Sequence, residues 1–370
     1  MAVVLASILA CHSFAAEKLL FKLTDPVGDD YGPGSYVYPK NTVFKPGSFD
    51  LTSFEVYESD SDIIFKVYFK NWFTAPPDLQ ISNDKNLKDL FKTNLYLQNI
   101  DIYIDKDHKL SSGITNAIPG RNVKIAPESA WEQAVFISPQ PFLARVETKR
   151  LAKKIVDKII IPANYEVSKN FVQFKMPKKI LGQPDERWGY LVLVTGAEWE
   201  TSMFSLSNWM NYGSSYEEPL LNRIVDKSAS EWEFGGGDTS GAAPNVIDML
   251  VASGESQEKI LGAYDPKTKK RAVLYAVYPF PGTLEVEKVG PVEGWAGEAA
   301  VIDVVRNVVT IDAGRAAGLY PGKLGQVYDG NEALVATVIV EETRENVAIC
   351  TVLPLTQTAD IAAGMKVRFK

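Results

Sequence analysis

Along most of this chain apolar and polar residues alternate singly, and a period of two is the spacing of a strand with one buried face. The runs Phe49 to Tyr57 and Ile63 to Lys70 show it, and Ser59-Asp60-Ser61-Asp62 between them supplies the turn of a hairpin. The same reasoning predicts strands over Leu97 to Asp105, Arg121 to Ile125, Ala134 to Ile137, Ile155 to Ile161, Phe171 to Met176, Tyr190 to Thr195 and Asn245 to Leu250. Helical spacing is scarce, and short turns of helix fit Lys85 to Phe91, Pro177 to Leu181 and Ser256 to Leu261. Many short strands each need a second sheet to cover their apolar face. The predicted fold class is therefore all-β, with a large β-sandwich as its main body.

After Tyr278-Pro279-Phe280-Pro281-Gly282 the pattern tightens, and Gly314, Gly318, Gly322, Gly325, Gly330 and Gly364 punctuate short strands. A stretch of roughly 85 residues of this kind points to a small closed β-barrel, since one short sheet would leave its edges bare. At the other end Met1 to Ala10 are small and apolar, and Ser13-Phe14-Ala15-Ala16 precede Glu17 as a signal peptidase requires. No Lys or Arg precedes that short run, so the leader reads as truncated. The predicted organisation is a signal peptide over 1–16, a sandwich over 17–283 and a barrel over 284–370. Export to the periplasm, cell surface or extracellular space follows, with Ile8-Leu9-Ala10-Cys11 offering the alternative of a lipoprotein acylated on Cys11. Nothing further along approaches the roughly 18 consecutive apolar residues of a transmembrane span.

Composition closes several routes. The two cysteines are Cys11 and Cys350, so loss of the leader leaves one thiol and no internal disulfide; Cys350, inside Val347 to Val352, reads as a small buried hydrophobe. The two histidines are His12 and His108, too few for a zinc site and a poor basis for a Ser-His-Asp relay. A formal charge of -7 argues against a nucleic-acid partner. The basic run Lys149 to Lys158 reads as a solvated strand face.

The densest polar constellation is Asp25-Pro26-Val27-Gly28-Asp29-Asp30-Tyr31-Gly32-Pro33-Gly34, followed by Pro46-Gly47-Ser48-Phe49-Asp50-Leu51. Calcium takes oxygen ligands from carboxylates and carbonyls, and an irregular Gly-Pro loop supplies both. Asp25, Asp29, Asp30, Asp50 and Asp248 are the candidate ligands, with Asp238 placed to return to the same end. The other reading is that these side chains cap their own turns. In Leu97 to Asp105, alternation sends Ile100, Ile102 and Ile104 inward and Asn99, Asp101, Tyr103 and Asp105 to the other face, read as facing solvent. Trp199 to Tyr216 is rich in rings and amides, which suit the apolar face and hydroxyl rim of a sugar; Trp199, Trp209, Tyr212 and Trp72 are the candidate ligand-binding residues, against the alternative of core packing. Gly235-Gly236-Gly237-Asp238 lacks the Lys and following helix of a phosphate loop and reads as a turn.

Gly28-Asp29-Asp30-Tyr31-Gly32-Pro33-Gly34, Pro46 to Leu51, Leu97 to Asp105, Pro119-Gly120-Arg121-Asn122-Val123, Ala126 to Glu132, Trp188-Gly189-Tyr190, and Phe234 to Asp238 before Pro244 to Asp248 together resemble the C-terminal binding-module family of glucodextranase, over about residues 20–280. The resemblance implies a sandwich related to DOMON domains and family 9 carbohydrate-binding modules (CBM9), attached elsewhere to glucan hydrolases or envelope proteins. The tail, with Val309 to Gly314, Gly318-Leu319-Tyr320-Pro321-Gly322 and Ile361 to Val367, resembles the SH3-like barrel of flagellar assembly protein T. The expected protein is non-catalytic and binds a glucan or another envelope polysaccharide. The alternatives are an envelope assembly protein, binding another protein through residues 284–370, and a carboxylate-based glycoside hydrolase.

Overall fold

A computed structural model of the chain describes residues 17–75, 94–162, 164–197, 234–238, 240–280, 297–353, 356–357 and 359–369. Strands β1 (Lys18–Thr24), β2 (Leu51–Glu58) and β3 (Asp62–Phe69) run antiparallel in series. The β2 and β3 pair is the expected hairpin, with Phe54 opposite Val67 and Val56 opposite Phe65. Ser59 Oγ accepts the amide of Asp62 at 3.1 Å and closes its turn.

The remaining strands of this unit are β4 (Gln98–Asp105), β5 (Val123–Ile125), β6 (Gln133–Ile137), β7 (Ile159–Ile160), β8 (Glu166–Ser168), β9 (Phe171–Pro177), β10 (Gly189–Gly196), β11 (Asp248–Met249) and β12 (Ala272–Leu274). One sheet has the order β1-β2-β3-β9-β8 and a second the order β11-β10-β4-β6-β7, while β5 and β12 pair separately. The sheets close on each other through Phe54, Phe65 and Phe174 from the first and Ile100, Ile102, Ile104 and Val192 from the second. Phe65 stacks on Phe174 with ring centroids 4.9 Å apart.

The opposite face of β4 does not meet solvent as the alternation suggested. Asn99, Asp101, Tyr103 and Asp105 are all buried. A second apolar layer covers them, in which Tyr103, Phe136 and Leu191 pack with Val123, Trp131 and Leu274. The charge on Asp101 is met by Arg121, whose Nε lies 2.6 Å from Oδ2 and Nη2 2.8 Å from Oδ1, both side chains being fully buried. Tyr103 donates to the same Oδ2 at 3.1 Å and accepts the amide of Ile118 at 3.0 Å. The second sheet is therefore covered on both sides.

Two other expectations are corrected. The basic run Lys149 to Lys158 is not a strand face: it comprises the end of a helix, Pro141–Leu151, and a 3-10 turn, Val156–Lys158, before the short β7. Pro141 stands in the first turn, where its missing N–H costs nothing, and Lys149 and Arg150 lie in the last turn, where cations suit the helix dipole. Among the described side chains of this helix the buried positions Ala144, Glu147 and Thr148 are small or polar and carry no hydrophobic signal. Of Asn245 to Leu250, Asp248 and Met249 alone pair as strand. The helical turns at Lys178–Leu181 and Gln257–Leu261 form, and the one expected at Lys85 to Phe91 lies outside the described residues.

Contacts divide the chain into one compact unit of Met1–Lys106 with Gly113–Pro281 and another of Asp107–Ser112 with Gly282–Lys370. In the second, β13 (Glu298–Val305), β14 (Val308–Ile311), β15 (Leu324–Tyr328), β16 (Leu334–Thr343), β17 (Ala348–Val352) and β18 (Lys366–Phe369) close a barrel in the order β13-β14-β17-β16-β15-β18. Val301, Val309, Val327, Val338, Cys350 and Phe369 fill it. A Cβ at Gly325 would sit 2.6 Å from the Phe369 ring, so this position must stay bare for the barrel to close. Burial pushes the Cys350 thiol up to about 12, which leaves it a packing residue. Among the described residues no helix is long and apolar enough to cross a membrane, which says nothing of strands.

The Asp101 and Arg121 pair gives a direct check. Arg121→Met should destabilise the chain by about 3–5 kcal/mol in urea denaturation, because it leaves a buried carboxylate uncompensated, and adding Asp101→Leu should recover part of that loss. A double variant less stable than Arg121→Met alone contradicts this.

Candidate cation and ligand site

One end of the sandwich gathers acids from distant parts of the chain. Asp25 follows β1, Asp29 lies in the loop beyond it, Asp50 directly precedes β2 and Asp248 opens β11. Asp25, Asp29 and Asp248 each offer a carboxylate oxygen within 4.8 Å of the others. Asp248 is fully buried; its Oδ2 accepts the amide of Leu51 at 2.5 Å and its Oδ1 that of Met249 at 2.8 Å. A side chain from the second sheet thus holds the backbone at the start of β2 in the first. Asp25 Oδ1 accepts the amide of Val251 at 2.9 Å.

The remaining oxygens of this group are less well served. Asp25 Oδ2 and Asp29 Oδ1 are buried without a hydrogen-bond partner. Neither oxygen of Asp50 accepts a hydrogen bond of good geometry, although Lys70 Nζ stands 3.4 Å from Oδ2. Burial, with the charges of Asp29 and Asp50 adding to it, pushes Asp25 up to about 8. Burial and the nearby Asp50 and Asp30 raise Asp29 to about 6. Asp50 and Asp248 are raised as well, chiefly by loss of water and then by their acidic neighbours. The protein has placed more negative charge here than Lys70 can offset.

Of the five predicted ligands, Asp30 goes elsewhere. Its Oδ2 accepts from Tyr38 Oη and from the amide of Gly47 at 3.2 Å, so it fixes the loop rather than joining the group. Asp238 also serves its own turn, accepting from Ser240 N at 3.1 Å and Ser240 Oγ at 2.6 Å. The turn-capping reading of the acidic loop thus holds for Asp30 and Asp238.

Sequence reasoning missed the residue that fastens these segments. Gln257 accepts the amide of Met249 at 2.6 Å through Oε1, and its Nε2 donates to the carbonyls of Asp29 at 2.5 Å and Ile247 at 3.2 Å. Ser256 Oγ caps the following helical turn by accepting the amide of Lys259 at 3.3 Å. That cap was readable from sequence, whereas the reach of its neighbour was not. Tyr36, donating to the carbonyl of Pro244, seats another loop; a Cβ at Gly236 would come 1.7 Å from its hydroxyl, so only glycine fits there.

Beside this group lies an exposed rim. Trp72 is 64% exposed, and Lys45 Nζ lies 5.4 Å from its ring centroid. Asn71 ties the Trp72 loop to the loop of Asp30, since its amide donates to Gly47 O at 2.9 Å and its Nδ2 to Pro46 O at 2.6 Å. Tyr31, 40% exposed, meets Tyr38 edge to face at 5.9 Å, and Val27 and Val37 on the same loop are exposed too. Trp199, Trp209 and Tyr212 lie outside the described residues.

Residues 20–276 match the family described as the C-terminal binding-module, SLH-like, of glucodextranase. The chain belongs to this family. The matched span carries the acidic group, the Trp72 rim and almost all of the sandwich, and it ends before β13. No curated protein matches the chain.

Within the module, Gln257→Leu should cost about 1–3 kcal/mol in chemical denaturation, because it removes three hydrogen bonds that tie these segments together, although the Met249 amide keeps Asp248 and the carbonyls of Asp29 and Ile247 keep the amides of Tyr31 and Gly32. A change within error would show that water replaces the side chain freely.

Proposed function

We propose that this chain is an exported, non-catalytic protein whose sandwich binds a glucan or another envelope polysaccharide, and whose barrel at 284–370 serves attachment to an envelope protein. The observation that carries the reading is the exposed Trp72, held on a loop that Asn71 ties to Pro46 and Gly47, in a chain of a binding-module family. An exposed ring on a fixed backbone stacks on the C–H face of a pyranose with little entropy to lose, and the amide and ammonium groups of Asn71 and Lys45 suit its hydroxyls.

The acids beneath the rim support binding rather than hydrolysis. A glycosidase needs two carboxyl groups facing a cleft across the sugar. Asp25, Asp50 and Asp248 are closed in, and Asp25 and Asp248 are engaged with backbone amides.

Co-sedimentation with insoluble α-glucan and with cell-wall polymer tests the proposal. The chain should be retained by one of them, and Trp72→Ala should weaken retention about tenfold or more while leaving the melting temperature unchanged. Retention by neither polymer would favour the assembly-protein alternative, and release of reducing ends would favour the hydrolase.

A further inference from the structure

We propose that Asp25, Asp29, Asp50 and Asp248 bind one calcium ion, which locks together the loops that carry the aromatic rim. Oxygens sharing a calcium ion at about 2.4 Å cannot be more than about 4.8 Å apart. Asp25, Asp29 and Asp248 present oxygens within that separation of one another. Asp50 is fully buried near them, its Oδ1 without a donor and its Oδ2 faced by Lys70 Nζ at 3.4 Å.

The unmet oxygens separate a ligand site from a set of loop caps. A carboxylate that only caps a turn spends its oxygens on backbone amides, as Asp30 and Asp238 do; Asp248 also holds two amides, and the unmet oxygens of the group are on Asp25, Asp29 and Asp50. Asp25 keeps Oδ2 free of any donor although the residue is only 7% exposed, and that oxygen belongs to a side chain in the acidic group. A water molecule could donate to such oxygens but would leave the charge uncompensated. A divalent cation satisfies the oxygens and offsets the charge together.

The donor set identifies the class of ion. It is all oxygen, without the nitrogen or sulfur that zinc and the softer metals prefer. Magnesium holds its waters and demands a tight octahedron at shorter distances, which carboxylates spread up to 4.8 Å apart serve less well. Calcium accepts an uneven shell of carboxylates and nearby carbonyls.

Calcium chloride titrated calorimetrically into the chelator-treated full chain tests the assignment without any glycan, so its failure would leave the polysaccharide reading standing. Binding should be seen in the wild type, weakened at least about tenfold by Asp29→Asn and by Asp50→Asn, and unchanged by Asp60→Asn in the exposed hairpin turn. Asp29→Asn leaves the carboxylates that hold the amides of Leu51, Met249 and Val251. At a calcium concentration about a hundredfold above Kd, the wild-type melting temperature should rise by about 5–10 °C. Asp29→Asn should melt at or above the wild type in chelator, having shed a crowded charge, and below it in calcium. A purely structural Asp29 would lower melting in both buffers, and that result overturns the proposal, as does an absence of binding heat. A magnesium shift equal to that of calcium overturns the choice of ion.

Discussion

The carboxylate of Asp248 is the point on which the binding end of this molecule turns. It sits in the second sheet, is wholly enclosed, and accepts the amide of Leu51 at the start of β2 in the first sheet. Asp25, at the end of β1, reaches the opposite way and accepts the amide of Val251 just after β11. The two sheets are thus cross-braced at one end by acids, in a place where apolar side chains would have sealed them more cheaply. Burying acids is costly, and a fold that does so against its own electrostatics has placed them for what they hold.

From that brace the loops take their shape. Gln257 draws the carbonyls of Asp29 and Ile247 to the amide of Met249, Tyr38 and Asp30 pin Gly47, and Asn71 carries the link on to Trp72. Each step is a hydrogen bond from a side chain to a neighbouring loop, and the link from Gln257 to Asp29 spans most of the module. A rim assembled this way can present exposed rings on fixed backbone, which is what recognition of a flat, weakly polar sugar face requires. The barrel is built on a different principle: closure removes its edges, and an apolar cluster that includes the buried Cys350 fills it.

How much of this could be read beforehand follows from the range of each signal. Alternation marked β2, β3, β4, β9 and β10 closely, because a strand face is a local property of the sequence. It could not say that the polar face of β4 is also buried, since the cover over Asp101 and Tyr103 comes from Arg121, Trp131 and Leu274, which are remote in sequence. The helix Pro141–Leu151 escaped because, among its described side chains, the buried Ala144, Glu147 and Thr148 carry no apolar period. In the site, residue type singled out Asp25, Asp29, Asp30, Asp50 and Asp248 alike, and that Asp25, Asp29 and Asp248 meet while Asp30 turns to Tyr38 and Gly47 is set by the fold. Gln257 was invisible for the same reason: a glutamine announces nothing until its partners arrive.

The account stands or falls on whether a cation completes this brace. Hydrogen exchange at the amides of Leu51, Met249 and Val251, followed in calcium and in excess chelator, addresses it directly, because these donors end on Asp248 and Asp25. The account predicts that all three are strongly protected with calcium and speed up together when it is removed, while amides in the β3 and β9 pair stay slow. Equal protection of the three in both conditions would contradict it.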